Sequence, residues 1–444
     1  MDPGLPENQQ HAIETAVLSR LTWRLLPFLF LLYIVAYLDR INVGFAALQM
    51  QEQLKFSDRM YGLGAGMFFA GYFLFQVPSN LVLHRVGARR WIAVLMIVWG
   101  VISSSMAAVE TPRGFYILRF LLGSAEAGFF PGMILYLKSW FPETARARAV
   151  ALFMTAGPLS GVLGGPLSGA LLGLHHRGGL AGWQWLFLLE GLPAIVLGAV
   201  VYFQLVDRPS EATWLRDEQR AWLIRTLESE KSAVPAAGST DTLAVFFTAV
   251  VLNARIWLLA FIYFGLNTCS YGISLWLPTL IHSWSAAGSF FIGMVSAIPY
   301  LAAAVAMVLV GQHSDRTGER RWHVALCAFS GATALFVAAY AGSLAVSVAA
   351  ISVAMLSVSS MVGPFWALPT KFLQGTAAAA GIALINSIGN LGGFFGPAVI
   401  GSVRTSTGSF RGGFLIAGAT LALCGCVAPL VRIARTAGSS APEK

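Results

Sequence analysis

Two opposite charges lie in the middle of a long apolar stretch, FYILRFLLGSAEAGFFPGMILY, at residues 115–136. Arg119 and Glu126 would share one face of a helix, because seven residues make nearly two turns. A stretch of this length can cross a bilayer, and a charge at its centre costs about 2.5 kcal/mol or more. This face must therefore turn toward protein or water. We expect an ion or substrate pathway, and a buried ion pair that only fixes helix packing is the alternative.

A second pair of charges stands in the first apolar segment, in the sequence YLDRIN. Asp39 and Arg40 are adjacent, so their side chains project about 100° apart on a helix. At least one of them must face a polar interior or a neighbouring helix. A pair at the membrane interface is the alternative, although Ile41, Val43 and Phe45 continue the apolar run past the charges.

Arginine and carboxylate side chains suit the transport of an organic anion together with protons. A guanidinium stays charged in a low-dielectric cavity and can grip both oxygens of a carboxylate. A buried acid can bind a proton and release it when a positive partner approaches. The second half of the chain offers neutral asparagines in the corresponding segments, namely Asn267, Asn386 and Asn390. We expect one shared aqueous chamber to be lined by Asp39, Arg40, Arg119 and Glu126.

The composition indicates a helical membrane protein. The 444 residues are 57% hydrophobic and 11% charged, whereas soluble domains carry about 25% charged residues. The net charge of +9 lies mainly in short loops, so it indicates membrane topology and not nucleic-acid binding. The spacing of the four cysteines fits neither a metal site nor a disulfide framework. We expect no cofactor, no metal, and no secretory signal before the first span.

The apolar segments can be drawn as twelve transmembrane spans, near 22–45, 60–83, 91–110, 114–139, 148–173, 184–206, 253–281, 288–312, 322–342, 345–369, 376–402 and 411–433. Most of the 29 Lys and Arg residues fall on one side if both termini are cytoplasmic. The predicted organisation is a six-helix bundle over 1–206, a cytoplasmic linker over 207–245 and a second six-helix bundle over 246–444.

The linker and an internal repeat support this plan. Apolar residues at helical spacing after residue 214 predict an amphipathic helix at the membrane surface, followed by a flexible segment AVPAAGSTD. RVGARRW at 85–91 recurs as RTGERRW at 316–322, an offset of 316 − 85 = 231 residues. The same offset relates Gly161 to Gly392. These landmarks predict duplicated bundles related by an axis along the membrane normal.

The loop GQHSDRTGERR at 311–321 resembles the pattern between the second and third spans of each half in the major facilitator superfamily. The first-half copy, NLVLHRVGARR, has Asn80 and His84 where that pattern has a glycine and an acid. The resemblance implies a fold of two six-helix bundles and gating-loop roles for Arg85, Gly87, Asp315, Arg316 and Gly318.

Further motifs resemble the anion:cation symporter family of that superfamily, including tartrate-type organic acid permeases and the galactonate/proton symporter. They are YLDRIN, GYFLFQVPSN, RFLLGSAEAGFFPG, QWLFLLEGLPA and SYGISLWLPTLI. The resemblance implies that Arg40 meets the substrate carboxylate and that Tyr72 hydrogen-bonds the substrate. Trp366 and Asn386 are similar to pocket residues of the family, whereas the family's pocket glutamine has no counterpart near Gly157.

The same resemblance implies that Asp39 and Glu126 carry protons, with Arg119 as the partner of Glu126. The predicted function is a proton-coupled symporter that imports a small organic anion, tartrate-like or aromatic, by alternating access. An organic anion exchanger or a facilitator without proton coupling is the alternative. No loop is large enough for a catalytic domain, so we expect no enzyme. We expect a monomer in the lipid of a bacterial inner membrane, with the organic anion and protons as its partners and no nucleic acid.

Overall fold

The structure is a computed structural model that describes residues 7–233, 250–285, 287–373 and 375–431. Across these ranges the regular structure is helical, and twelve spans are long and apolar enough to cross a membrane. The predicted fold class is therefore confirmed: the chain is a multi-pass membrane protein of two six-helix bundles. The exact residue bounds of the two domains stay a prediction.

The α-helices used below are α1 (Glu7–Leu54), α2 (Asp58–Val86), α3 (Ala88–Ser105), α4 (Pro112–Glu126), α5 (Phe129–Trp140), α6 (Glu143–Met154), α7 (Ala156–Leu172), α8 (Gly182–Gln204), α9 (Asp217–Ala233), α10 (Ala254–Trp284), α11 (Ser289–Thr317), α12 (Arg321–Ala339), α13 (Leu344–Trp366), α14 (Gly375–Thr407) and α15 (Arg411–Val427). The fourth span consists of α4 and α5, and the fifth span consists of α6 and α7.

The fourth span is interrupted directly after Glu126. Pro131 has no N–H to donate to the carbonyl of Ala127, so the helical ladder cannot run through this point. Gly128 lies between α4 and α5, and a Cβ atom at this position would clash with the side chain of Ser79 on α2. The sequence predicted one continuous span here. The break places Glu126 at the end of α4, inside the membrane-spanning region.

The first helix begins at Glu7 and ends at Leu54, so it is much longer than its predicted span of 22–45. Asp39 and Arg40 therefore lie about four turns from its C-terminal end. Both residues are buried, with exposed fractions of 0% and 8%. The alternative of a pair at the membrane interface is not supported.

The predicted linker helix is α9, and it packs on the first bundle. Its apolar face buries Leu223 and Leu227, and Arg20 of α1 donates to Gln219 at 2.9 Å. Its position at a membrane surface stays a prediction. Beyond Ala233 the segment AVPAAGSTD lies outside the described residues. We call the side of the molecule that carries α9 the linker face, and the opposite side the far face.

Glycines bring the two bundles into close contact in the half of the spans toward the far face. A Cβ on Gly62 or Gly66 of α2 would collide with the backbone of α14, at Pro397 and Phe394. A Cβ on Gly165 of α7 would likewise meet the backbone of α11. Small residues permit such backbone contact between membrane helices. Close approach of helices therefore accounts for these glycines.

The repeated loops lie on the linker face and turn at equivalent glycines, because Gly87 has φ +93° and Gly318 has φ +67°. Their polar contacts differ. In the second copy Asp315 pairs with Arg320 at 2.7 Å. In the first copy the backbone N–H of Arg89 donates to Asp207 at 2.9 Å. Asp207 follows the sixth span, so it supplies the carboxylate that the loop itself lacks.

The remaining predicted gating residues, Arg85 and Arg316, are exposed on the linker face. Close by, Glu319 caps the start of α12, where its carboxylate accepts from the backbone N–H groups of Trp322 and His323. Burial alone would raise the pKa of Glu319. The N–H of Trp322 and the contacts with His323 outweigh burial and hold that pKa below its ordinary value.

Candidate functional site

A buried ion pair joins the first span to the fourth. Nε of Arg40 donates to Oε2 of Glu126 at 2.7 Å, and the side chains are 9% and 0% exposed. The break after Glu126 ends α4 at this residue, and Arg40 reaches it from the middle of α1. One oxygen, Oε1 of Glu126, and one nitrogen, Nη2 of Arg40, have no hydrogen-bond partner. The pair therefore keeps capacity to bind another polar group.

Aromatic rings of α2 surround the guanidinium of Arg40. The centroid of Phe68 lies 5.6 Å from its central carbon, and that of Tyr72 lies 5.1 Å away. A ring face attracts a cation, and more strongly where water is excluded. Tyr271 of α10 is also a neighbour of Arg40 and packs against Phe69 with ring centroids 4.3 Å apart. Arg40 thus lies where the two bundles meet.

Arg119 is completely buried but does not pair with Glu126. Its Nη2 donates to the carbonyl of Ala65 at 3.3 Å, and its guanidinium lies 5.0 Å from the centroid of Phe68. Its Nε and Nη1 atoms have no partner. Arg40 approaches from α1 and forms the direct ion pair with Glu126, and no hydrogen bond joins Arg119 to Glu126 among the described residues. The role of Arg119 as the partner of Glu126 stays a prediction. Arg119 remains a second cation on the same aromatic ring.

Asp39 turns away from this pair, into the first bundle. It accepts hydrogen bonds from Oγ of Ser103 on α3 at 2.7 Å and from Nδ2 of Asn42 at 3.4 Å. Adjacent residues on a helix project about 100° apart, so Arg40 and Asp39 serve different neighbours. The expectation that all four charged side chains line one chamber stays a prediction, and the hydrogen bonds of Asp39 are made to Ser103 and Asn42. Arg40, Glu126 and Arg119 do gather around Phe68.

The predicted pocket residues of the second bundle form a separate group. Trp366 packs edge-on against Tyr263 of α10, with ring centroids 4.9 Å apart. Both Trp366 and Asn386 are half-buried. Within the described part of the chain, no hydrogen bond joins either of them to Arg40 or Glu126. The structure therefore places them on the other bundle, and neither is hydrogen-bonded to the charged pair in the described residues.

Sequence analysis missed a third buried carboxylate, Glu190 of α8. It is 4% exposed and accepts a hydrogen bond from Oγ of Ser168 on α7 at 2.8 Å. Its other oxygen, Oε2, has no partner. The signal was present, because Glu190 is the one acidic residue in the apolar helix Gly182–Gln204. The cost of a charge within the membrane, which drew attention to Glu126, applies equally here.

An ion pair between the bundles lies at the far face and was also missed. Nη1 of Arg404 on α14 donates to Oδ1 of Asp58 on α2 at 2.9 Å. The same carboxylate accepts from Gln51 at 3.2 Å, and Oγ1 of Thr405 accepts from the N–H of Arg59 at 2.8 Å. These groups border an outer cavity of about 620 Å³. We call the Asp58–Arg404 pair the far-face latch.

Comparison with known proteins agrees with this architecture. The family model described as Major Facilitator Superfamily matches residues 29–397, most of the chain. The protein belongs to the major facilitator superfamily. This match confirms the family that the loop and span motifs predicted. A member of this superfamily is a membrane transporter and not an enzyme, and its partner is a small-molecule substrate.

Relatives within the superfamily extend over nearly the whole chain. A protein of Agrobacterium vitis named "Putative tartrate transporter" is 50% identical over 410 residues, 92% of this chain and 90% of its own length. The Escherichia coli inner membrane transport protein RhmT is 37% identical over 426 residues, 96% of this chain and 97% of its own. The quinolone resistance transporter of Acinetobacter baumannii is 40% identical, covering 90% and 91%.

Solved structures of the superfamily share the fold. A bacterial homologue of the human lysosomal transporter Spinster, in an inward-facing occupied conformation, has a TM-score of 0.71 at 17% identity and covers 91% of this chain and 96% of that chain. The Escherichia coli xylose transporter XylE, partially occluded and inward open, has a TM-score of 0.71 at 14% identity with the same coverages. At these identities the likeness concerns the fold alone.

Proposed function

We propose that this superfamily member is a proton-coupled symporter that imports a small organic anion by alternating access. The observation that carries the proposal is the buried Arg40–Glu126 pair of the first bundle, beside Tyr271 of the second bundle. A cation that recognises carboxylates is held there by an acid of its own chain. An organic anion and a proton can therefore compete for one pair of residues.

The geometry suggests how a proton prepares the site. While Glu126 is ionised it holds Nε of Arg40, so a substrate carboxylate would have to displace it. A proton on Glu126 removes its negative charge, so the Coulomb attraction to Arg40 is lost and only a hydrogen bond to a neutral carboxyl group remains. Arg40 can then grip both oxygens of a substrate carboxylate. Tyr72 stands beside Arg40 to hydrogen-bond the bound substrate.

Arg119 would help the proton to leave. It lies on the same ring as Arg40 and keeps two donors without partners. Once substrate occupies Arg40, this second cation favours the ionised form of Glu126 and hence proton release. Asp39 belongs to the same bundle and accepts a hydrogen bond from Ser103. We propose that Asp39 also carries a proton.

The proposed substrate is a small carboxylate. The relatives named for tartrate transport favour a hydroxylated dicarboxylate. The aromatic group around Tyr263 and Trp366 would equally receive an aromatic acid. We propose that Trp366 and Asn386 recognise the shape of the substrate while Arg40 binds its charge.

Proton symport gives the transport its direction. The membrane potential opposes entry of an anion by roughly 2.3 kcal/mol per charge per 100 mV. Entry becomes favourable when more protons than substrate charges move with the anion. The proposed location is the bacterial inner membrane, with the basic linker face and both termini in the cytoplasm. Residues 1–206 and 246–444 would rock about the central site as a monomer, with 207–245 as the connection and the loops at Gly87 and Gly318 as gates.

Exchange of two organic anions is the second candidate. The observation that favours exchange is that Arg40 already binds a carboxylate, that of Glu126. An incoming anion could replace this carboxylate on Arg40 without any proton.

Uptake by purified protein in proteoliposomes distinguishes these candidates. We expect an inside-alkaline pH gradient to drive accumulation of a labelled organic acid, tested over a panel that includes tartrate and aromatic acids. Glu126→Gln should abolish this accumulation and retain counterflow of labelled against unlabelled substrate. Glu52→Gln, which alters an exposed acid on the same first helix, is the matched control. Undiminished pH-driven accumulation in Glu126→Gln would refute its coupling role, and counterflow alone in the unaltered protein would favour exchange.

A further inference from the structure

Asp39 belongs to a buried polar cluster of the first bundle whose other members the mechanism above does not use. The cluster consists of Asp39 and Asn42 on α1, Ser103 on α3, Ser168 on α7 and Glu190 on α8. All five residues are less than 5% exposed. In the described part of the chain no hydrogen bond joins this cluster to the Arg40–Glu126 pair, although Asp39 lies within electrostatic reach of Glu126 and Arg119.

Asn42 stands between the two acids of this cluster. Its Nδ2 donates to Asp39 at 3.4 Å, and it also faces Glu190. Serine hydroxyls hold one oxygen of each carboxylate, Ser103 on Asp39 and Ser168 on Glu190. Three acceptor atoms are left without a partner, namely Oδ2 of Asp39, Oδ1 of Asn42 and Oε2 of Glu190.

No cation in the described ranges forms an ion pair with Asp39 or Glu190. The polar side chains around Glu190 are Asp39 and Asn42 of α1 and Ser168 of α7. Ser103 of α3 binds Asp39. None of these side chains is positively charged. An ionised carboxylate enclosed by protein without a cation costs several kcal/mol. A proton on Glu190 removes that cost.

The position of Ser168 links this acid to the movement of the bundles. Ser168 lies on α7 between Gly165 and Gly169, and a Cβ on either glycine would meet the backbone of α11 in the other bundle. The helix that binds Glu190 on one side therefore packs against the second bundle on the other. A change of charge on Glu190 alters the strength of its bond to Ser168.

We propose that Glu190 is a second proton-binding group of the transport cycle, which binds and releases its proton as α7 moves against α11. This inference rests on the proposed proton-coupled function and adds a proton to that of Glu126. The three unpartnered acceptors could also suit a sodium ion. We favour a proton over sodium because Ser103 and Ser168 already donate hydrogen bonds to the two carboxylates. A metal ion would compete with these hydroxyls for the carboxylate oxygens.

The first test measures the protonation state and needs no transport. In the infrared spectrum of the reconstituted protein at neutral pH, we expect a C=O band of a protonated carboxylic acid that shifts in heavy water. Glu190→Gln should lose this band, and Glu126→Gln should keep it. If the Gln variant does not fold, Glu190→Asp should move the band to another frequency. A spectrum unaffected by either change at position 190 would overturn the proposal.

The second test measures whether this proton is exchanged. The reversal potential of uptake gives the proton-to-substrate ratio, since each charge contributes roughly 2.3 kcal/mol per 100 mV. We expect Glu190→Gln to lower this ratio by about one proton per substrate and Glu190→Asp to restore it. An unchanged ratio in Glu190→Gln, with coupling intact in the unaltered protein, would refute this inference alone. A ratio of zero in the unaltered protein would refute the proposed function as well, and dependence of uptake on sodium would overturn the proton assignment.

Discussion

The two bundles share a fold and a repeated sequence, yet they differ in their buried charges. Among the described residues, the buried charged side chains all belong to the first bundle: Asp39, Arg40, Arg119, Glu126 and Glu190. The buried polar residues of the second bundle are neutral, such as Asn267 on α10 and Ser360 on α13. The two bundles therefore share a fold, whereas the buried charges of the described residues lie in one of them. We infer that the first bundle couples the proton to the anion and that the second recognises substrate shape.

The largest expected effect follows from changing the cation of the first bundle. Arg40→Lys replaces a planar fork by a point charge, which cannot hold Glu126 and a substrate carboxylate in the same geometry. We expect the dissociation constant for the organic acid to rise at least 100-fold, about 2.7 kcal/mol. Direct binding to the purified protein measures it. Arg320→Lys, at an ion pair on the linker face, should bind normally, and normal binding by Arg40→Lys would contradict the assignment.

A second effect separates function from stability in the same bundle. Arg119→Met removes a buried cation that has two donors without partners. Replacing a buried ion by an apolar side chain of similar size is often neutral or stabilising. We therefore expect the unfolding temperature to stay the same or rise, while proton-driven uptake falls about tenfold, or 1.4 kcal/mol. Loss of thermal stability with normal uptake would instead make Arg119 a packing residue.

The second bundle should show a smaller and different response. Trp366→Ala and Asn386→Ala remove parts of the proposed pocket without touching a charged group. We expect KM for the preferred acid to rise about fivefold to tenfold, roughly 1–1.4 kcal/mol, with the proton-to-substrate ratio unchanged. Uptake kinetics and reversal potentials on the same vesicles test both parts. An altered ratio in either variant would remove the division of labour between the bundles.

The smallest effect concerns the far-face latch, which joins the bundles. Its side chains are 21% and 23% exposed, so the pair should stabilise the closed far face by at most about 1 kcal/mol. Asp58→Asn should shift the population toward an open far face by roughly fivefold or less. Spin labels on the exposed residues Glu52 and Thr407 would measure the distance distribution. Arg404→Gln should shift this population by a similar factor. The double variant should shift it little further if both residues act through one contact.

The sequence predicted the architecture well, because the cost of placing charge in a bilayer is large and local in sequence. Apolar length located the twelve spans, and the same cost singled out Arg40, Arg119 and Glu126. It applied to Glu190 too, where the lone acid of an apolar helix was overlooked. Helical spacing also explains why Asp39 and Arg40 have different neighbours.

Partner choice could not be predicted in the same way. Arg119 and Glu126 share a helix face, but whether Glu126 bonds within its helix or across to α1 depends on how two spans pack. The break after Glu126 depends likewise on the approach of Ser79 from α2. The far-face latch joins residues 346 positions apart, and no local pattern links them.

The loop of the first bundle depends on a residue outside its own repeat motif. Asp207, just beyond the sixth span, binds both the backbone and the side chain of Arg89 at the start of α3. The corresponding loop of the second bundle closes on itself through Asp315 and Arg320. The chain that leaves the sixth span is therefore tied to the loop of the first half and not to the loop of the second. Grafting the second loop into the first half would cut that tether.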